Sequence, residues 1–584
     1  MVQTRISPGV TSTIRDLSDY VRSIPSTVAF IPIISEWGED NKLIFTNRVD
    51  FYKNFGDPDL TYAGKQWGQG PYILDNFFDE SDSAFVIRCL PETSDYSNLF
   101  ILAEPGTSLG IDGTADTYVT SLEDQETIDE IETNLTDGIL YDGDTQTGCV
   151  CFRGLGRGDA YNQFKINVAK NANPYKSSLN PDGSTMSGLD VIYTVDIYRQ
   201  QSSQANDGKY DYEIISSFDV SFNPHKKSDI GESLFIGDIF NKYSRHIKCE
   251  SNELNCYKAC ANNADFSQAF ITDGGTPVQN GSTSTLFNAN GAIDEDVATQ
   301  ILSQAYAGTL PRPVKDKAGE RQVVNEVLDT EWYYFNIVLD GGYMKEVKDE
   351  IGILVDKRRD CLALIDNEDN LTYTETIDAR DDDQVFNTKY LAIFEPYSKI
   401  YDAWIGRDIW VTPVYHIAKI IPYTDNVAEV FYPVAGFNRA TVSEISELRY
   451  SPTSGQLDQL YLKQINPIVH FPEGYTFWHQ LTSQRRPSAL QDISVMRLIL
   501  YIDRALKQYC RFYIHELNEA HNWSAMKAKI TSFLKDIQNK RGLYSFSIDV
   551  GADEYERSTK QTHVNVKLEP VKGIEKINIT YFVK

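Results

Sequence analysis

Several stretches of this chain combine residue types and spacings that could do chemistry. His246, Cys249, Cys256 and Cys260 are its clustered soft ligands, and four such groups could enclose a tetrahedral Zn²⁺. Their spacing matches no standard zinc module, and Cys260 reads equally as a buried core residue. His515-Glu516 resembles the start of a zinc-protease H-E-x-x-H motif, but Glu519 stands where the second His belongs and His521 is out of register. A His and a Glu four apart on one helical face make a weak ligand pair; an exposed helix or loop face is the alternative. Arg153–Gly158 (RGLGRG) is glycine-rich but lacks the Lys-Ser/Thr of a phosphate loop. Phe164–Val168 after it alternates like a strand, so no helix N-terminus follows, and the stretch reads as a structural turn. Asp340-Gly341-Gly342 falls between strand and helix, where α/β ligand sites occur, without the G-x-G-x-x-G fingerprint. Asp381–Asp383 reads as a solvated loop. The inventory points away from an enzyme. No catalytic residue, metal or cofactor is expected.

The elements that would position such residues are legible from periodicity. Residues 1–22 read as an extended arm, with Ile6, Pro8, Val10, Ser12 and Ile14 on one side; a frayed terminus is the other reading. Val28–Ile34 and Ala84–Leu90 read as buried strands. Asn47 can cap a helix through Phe55 that Gly56 stops, and Pro71–Asp79 reads as a second helix. From Pro91 to Arg321, acidic loops rich in Gly, Ser and Asn separate strands of period two, among them Phe164–Val168, Val191–Ile197 and Tyr212–Val220. This segment reads as one or two inserted β-rich modules. The α/β pattern resumes with strand Trp332–Leu339, a Gly341-Gly342 turn, a helix from Met344 to Arg358 and strand Cys361–Ile365. Such a βαβ unit implies parallel pairing with a right-handed crossover.

The last 120 or so residues form a coherent module. Ser488–Cys510 and Trp523–Arg541 read as amphipathic helices, the second ended by Gly542. Three alternating strands follow, carrying Tyr544, Phe546, Ile548 and Val550, then Val564, Val566 and Leu568, then Ile577, Ile579, Tyr581 and Val583. A strand so near the chain end can leave its own domain without threading anything.

The whole is an α/β (α+β) multidomain chain of 584 residues. The division expected is a 1–22 arm; 23–90 plus 321–464 as a middle α/β domain; 91–320 as an inserted β-rich outer part; and 465–584 as a C-terminal domain ending in the third strand. The net charge of −28 repels polyanions and argues against nucleic acid or an anionic membrane as main partner. Residues 485–584 carry 17 Lys and Arg against 11 Asp and Glu, a net of +6, which leaves −34 on the remainder. A basic end on an acidic body could meet an acidic partner or a neighbouring copy; ordinary variation along a chain is the plainer reading. Eight cysteines are few for a disulfide scaffold, and Met1–Val10 has no apolar signal region, so a reducing cytosolic compartment is expected. No apolar run approaches the roughly 20 residues that span a bilayer, and no membrane insertion is expected.

In order along the chain, a series of short motifs resembles the contractile tail sheath family of phages. Ile6-Ser7-Pro8-Gly9-Val10 is similar to the family's opening, Ser26-Thr27-Val28-Ala29-Phe30 to its next strand, Phe51–Gly56 (FYKNFG) to its F-x-x-x-F-G helix end, and Phe77-Phe78 followed by Ala84–Arg88 (AFVIR) to its helix plus strand. Leu328–Asp366, with Lys357-Arg358-Arg359-Asp360, resembles the sheath βαβ core. Tyr432-Pro433-Val434-Ala435-Gly436 resembles its A-G element, and Leu462–Ile468 (LKQINPI) its L-x-x-x-x-I-N-x-I pattern. Arg497–Leu506 followed by Trp523–Gly542 is similar to its C-terminal helices. The G-x-R-T stretch of the family is not clear near Trp478–Ser483, and Phe512–Asn522 only approximates its Phe-x-x-Asn element.

The resemblance implies a structural subunit, a homo-oligomer of six per ring in a helical stack around a tail tube, working with baseplate and tail terminator proteins. It implies a place in the virion tail after assembly in the host cytoplasm, and contraction that drives the tube through a host envelope for genome delivery. The sheath of a bacterial contractile injection system is the alternative within the class; a hydrolase or carbohydrate-binding activity in the inserted segment is the alternative outside it. For strand exchange between subunits the expected residues are Ile6, Pro8, Val10 and Ile14 at one end and Ile577, Ile579, Tyr581 and Val583 at the other. Arg497, Arg504, Lys507, Arg511, Lys527 and Lys535 are candidates for facing the tube, a solvated face being the alternative.

Overall fold

Val28–Ile34 is almost wholly apolar, and a strand of that composition needs cover on both faces. The computed structural model supplies it. It describes residues 27–576 and Asn578, except 36, 57–60, 63–64, 67–68, 92–93, 95, 104–116, 121–146, 172–187, 205–209, 229, 262–265, 267–275, 278–293, 316–320, 324–325, 368–370, 384–385 and 403–405. Besides a short hairpin of Thr61–Tyr62 and Lys65–Gln66, the elements before residue 90 are β1 (Ala29–Ile33), β2 (Leu43–Thr46), α1 (Arg48–Phe55), α2 (Gly70–Phe77) and β3 (Ala84–Arg88). Asn47 caps α1 by accepting from the Asp50 amide, and Gly56 ends it at φ 85, as the residues require. β1 pairs in parallel with β3 on one side and, on the other, with a strand more than 300 residues later, Ile337–Leu339.

The segment between holds two four-stranded sheets. One contains β4 (Tyr96–Ala103), β5 (Thr117–Thr120), β6 (Thr147–Arg157) and a later strand, β10 (Ile247–Ser251). The other contains β7 (Phe164–Lys170), β8 (Tyr193–Gln204), β9 (Tyr210–Val220) and the short Thr276–Pro277. Their alternating apolar residues close one core, with Phe164, Ile166, Val168, Val195 and Ile197 buried. The segment is less purely β than its period-two runs suggest. It also holds α3 (Ile236–Tyr243), α4 (Glu253–Ala261) and α5 (Glu295–Ala307), and α5 packs on the main sheet through Ala298, Ile301, Leu302 and Tyr306.

The glycine-rich Arg153–Gly158 is not a turn; most of it lies within β6. Its glycines let β6 press against residues 37–40. A Cβ on Gly156 would lie 1.9 Å from the Gly38 carbonyl oxygen, and one on Gly154 would meet the Tyr161 ring at 2.6 Å. The contact is fastened by buried polar groups. Arg157 donates from its amide and from Nε (2.7 Å) to the Asp40 carboxylate, and Arg88 donates to the carbonyls of Ser35, Gly38 and Arg157.

After the segment come β11 (Ile337–Leu339), α6 (Lys345–Arg358), β12 (Leu362–Asp366), β13 (Leu391–Glu395), α7 (Pro413–Val427), β14 (Thr441–Val442), α8 (Ser454–Leu462), β15 (Ile465–Phe471) and β16 (Gly474–Phe477). The nine-stranded sheet runs β2-β3-β1-β11-β12-β13-β15-β16-β14, parallel from β3 to β15 and antiparallel at its margins. Alternate residues point to opposite faces. Ile31, Ile33, Leu364 and Phe394 pack with α1, α2 and α7, while Phe30, Val338, Ala363 and Ile393 pack with α5 and α6. The expected strand from Trp332 is shorter, beginning at Ile337. The Asp329 carboxylate accepts from the amides of Glu331 and Trp332, which bends that backbone into a turn and leaves Trp332 83% exposed.

Candidate assembly interface

The residues with catalytic or ligand chemistry are spent on structure. Asp340, at the carboxyl end of β11, is fully buried; its Oδ2 lies 3.5 Å from Lys348 Nζ, which in turn lies 2.6 Å from Asp366 Oδ1. Tyr397 and Thr412 donate to the other Asp366 oxygen. Burial raises the Asp340 carboxyl to about 7 against the pull of Lys348, and burial beside Asp366 raises Glu395 well above the usual carboxylate range. The strand ends where an α/β ligand would sit are therefore filled by the chain's own side chains. His246 lies edge-on to Trp37 and stacks on Phe164, and burial lowers it to about 4. Cys249, Cys256 and Cys260 are buried, and the Cys256 thiol donates to the Cys149 carbonyl. Among the described residues no three His, Cys, Asp or Glu side chains gather to hold a metal ion. His515 sits in the turn between two helices, with φ 73, so it shares no helical face with Glu519.

The C-terminal module is built from α9 (Ile493–Arg511), α10 (Ala520–Asn539), β17 (Leu543–Gly551) and β18 (His563–Pro570). The first part of α9 belongs to the body: Ile493, Met496 and Leu500 enter the core beneath the main sheet. Leu498 and Ile502 point the other way and pack with Met526, Ile530, Leu534 and Ile537 of α10. The helix thus joins two cores. Gly542 ends the turn after α10, where a Cβ would strike Ile537 at 2.7 Å and Phe431 at 3.1 Å; the positive φ falls on Arg541. Asn518, which no sequence signal singled out, fastens the helix turn to the strands: its Oδ1 accepts from Trp523 Nε1 and Thr562 Oγ1, both at 2.8 Å.

β17 and β18 pair antiparallel, with Phe546 opposite Leu568 and Ile548 opposite Val566. Phe546, Ile548, Val550, Val564, Val566 and Leu568 lie half-buried on α10. Tyr544 departs from the expected pattern. A register irregularity between Leu543 and Ser545 turns it outward, 64% exposed, and buries Leu543 instead. Among the described residues the sheet has two strands, so each keeps an unpaired edge. The expected third strand, with Ile577, Ile579, Tyr581 and Val583, lies outside the described residues, as does the arm with Ile6, Pro8, Val10 and Ile14.

Two of the six basic candidates do not face outward. Arg497 is 4% exposed, and its guanidinium grips both oxygens of Asp425 in α7 at 2.6 and 2.8 Å. It faces the interior because it lies on the side of α9 that packs on the body. Arg504 is half-buried, its guanidinium over the Tyr334 ring, 2.9 Å from the centroid. Lys507, Arg511, Lys527 and Lys535 are exposed.

This fold, a doubly covered α/β sheet carrying such a module, is similar to that of a solved sheath tail protein. The chain is similar to the sheath tail protein of Listeria innocua over 94% of its own length and 93% of the other's, with a TM-score of 0.53 and 12% identity. Residues 485–584 match the family model of the phage tail sheath C-terminal domain, and the resemblance to tail sheath proteins is borne out. The chain is 31% identical over 163 residues to the tail sheath protein of Vibrio phage KVP40, covering 28% of this chain and 24% of that one. It is 26% identical over 209 residues to the tail sheath protein of Enterobacteria phage T4, covering 33% and 32%. The chain thus spans about a quarter to a third of the length of these curated relatives.

Proposed function

We propose that the chain is the subunit of a contractile tail sheath. It stacks as six-membered rings around a tail tube, between baseplate and terminator proteins, and shortens to drive the tube through an envelope. The observation that carries this reading is the sheet β17–β18, which among the described residues has two strands and two open edges, and which is followed in the sequence by alternating apolar residues at Ile577, Ile579, Tyr581 and Val583. An open edge accepts a further strand. A donated strand of about five residues makes several backbone hydrogen bonds, each worth roughly 0.5–1.5 kcal/mol net. Residues around Ile6–Ile14 and Ile577–Val583 are the donors, and the linkers that precede or follow them flex while the paired strands stay joined. Subunits then rotate and slide without separating. The remaining basic candidates, Lys507, Arg511, Lys527 and Lys535, face the tube; the segment 91–320 lies on the outside, where it does not obstruct the lattice.

The test is deletion of residues 1–15. The truncated chain is expected to remain a folded monomer by circular dichroism and to form no tubes or rings under the electron microscope. Normal sheath formation by the truncation would refute strand exchange through the arm.

A further inference from the structure

Three aromatic side chains meet at the surface where the loop before β14 reaches the β15–β16 hairpin. The Phe471 ring lies 4.6 Å from Trp478 and 5.5 Å from Phe437, and Phe437 and Trp478 are 6.2 Å apart. Phe437 is 39% and Trp478 42% exposed. Phe471 is half-buried between them, and a cluster of touching aromatics with two members exposed can serve as a docking surface.

The chain's own tail is led to its margin. After β18 the Val571 amide donates to the Gly542 carbonyl at 3.1 Å. Gly573 passes so close to Pro433 that a Cβ would lie 3.1 Å from its ring. The Glu575 carboxylate accepts from the Tyr461 hydroxyl at 2.9 Å. Tyr461 in turn stands edge-on to His479, 5.1 Å away, the residue after Trp478. The chain from 576 onward spans up to about 30 Å when extended, ample to cross the cluster. It carries Ile577, Ile579, Tyr581 and Val583 at alternate positions.

We propose that in the unassembled subunit residues 577–583 lie across Phe437, Phe471 and Trp478, a stowed position that the segment leaves when a neighbour's sheet edge takes it. The proposal rests on the strand-exchange reading and adds a control to it. Only the unstowed fraction can join a polymer, so apparent assembly slows in proportion to that fraction.

Hydrogen exchange on the unassembled protein tests it, comparing the full chain with a variant ending at Lys576. The backbone of 436–442 and 470–479 is expected to exchange faster in the shortened chain, by roughly tenfold at the most affected amides. Unchanged exchange there would overturn the stowed position. The shortened chain retains every element of the body, so this comparison does not depend on a surface substitution folding. As a second arm, Phe437→Ser with Trp478→Ser in the full chain is expected to shorten the assembly lag, on the order of tenfold. Slower assembly would instead mark the cluster as a contact between subunits and overturn the proposal. The exchange reading fails separately, if the chain ending at Lys576 forms normal sheath.

Discussion

Arg497 shows what a single side chain reveals only in three dimensions. Its place on a basic C-terminal helix makes it a candidate for facing the tube, yet it is a buried partner of Asp425, 72 residues away, and no local pattern announces such a pairing. Arg497→Ala strands a buried carboxylate and is expected to cost about 3–5 kcal/mol in chemical denaturation. Replacing the pair together, with Arg497→Met and Asp425→Leu, is expected to recover most of that loss. Asp340 gives a pH signature. Burial holds its proton up to about 7 against the ordinary 3.8, so the folded chain binds more protons than the unfolded one between these values. That contribution to stability is complete below about pH 4 and is lost as pH rises through 7. Asp340→Asn removes this titration, so the variant's stability, followed by urea unfolding across pH 4–7, should fall less with pH than that of the parent.

At the scale of elements, local rules read well where the residues act alone and poorly where distant backbone intervenes. Asn47, Phe55 and Gly56 state the limits of α1, and the structure keeps them. The parallel pairing implied by the βαβ run around Gly341-Gly342 is present as β11 and β12. The glycines of β6 were visible but their reason was not, since Gly38, over 110 residues earlier, supplies it. Gly156→Ala forces a methyl group against that carbonyl. It is expected to cost about 3 kcal/mol and to loosen the 91–320 segment from the sheet, seen as proteolytic cleavage near Arg157 at protease levels the parent resists. Tyr544 was misplaced because strand alternation assumes unbroken register, and an irregularity one residue long reverses the face.

The whole molecule is an acidic body with a basic end, and its sequence order interrupts one sheet with a long segment that the structure spans by pairing β1 with β11. That continuity was legible from the return of the α/β pattern after residue 330; the packing of α5 on the main sheet was not, because a helix inside a β-rich segment shows no allegiance in its own periodicity. The charge division has a consequence for assembly. If basic helices meet an acidic surface, raising salt from about 0.05 to 0.5 M shortens the screening length severalfold and should slow polymerisation measured by light scattering. A rate indifferent to salt would remove charge from the account. The most direct test of the central claim is a high-resolution cryo-electron microscopy map of tubes formed by the full chain. The account predicts that β17–β18 of each subunit lies in an enlarged sheet, with residues near Ile577–Val583 of one neighbour and Ile6–Ile14 of another along its open edges. Tubes in which that sheet stays two-stranded, with both chain ends folded onto their own subunit, would contradict it.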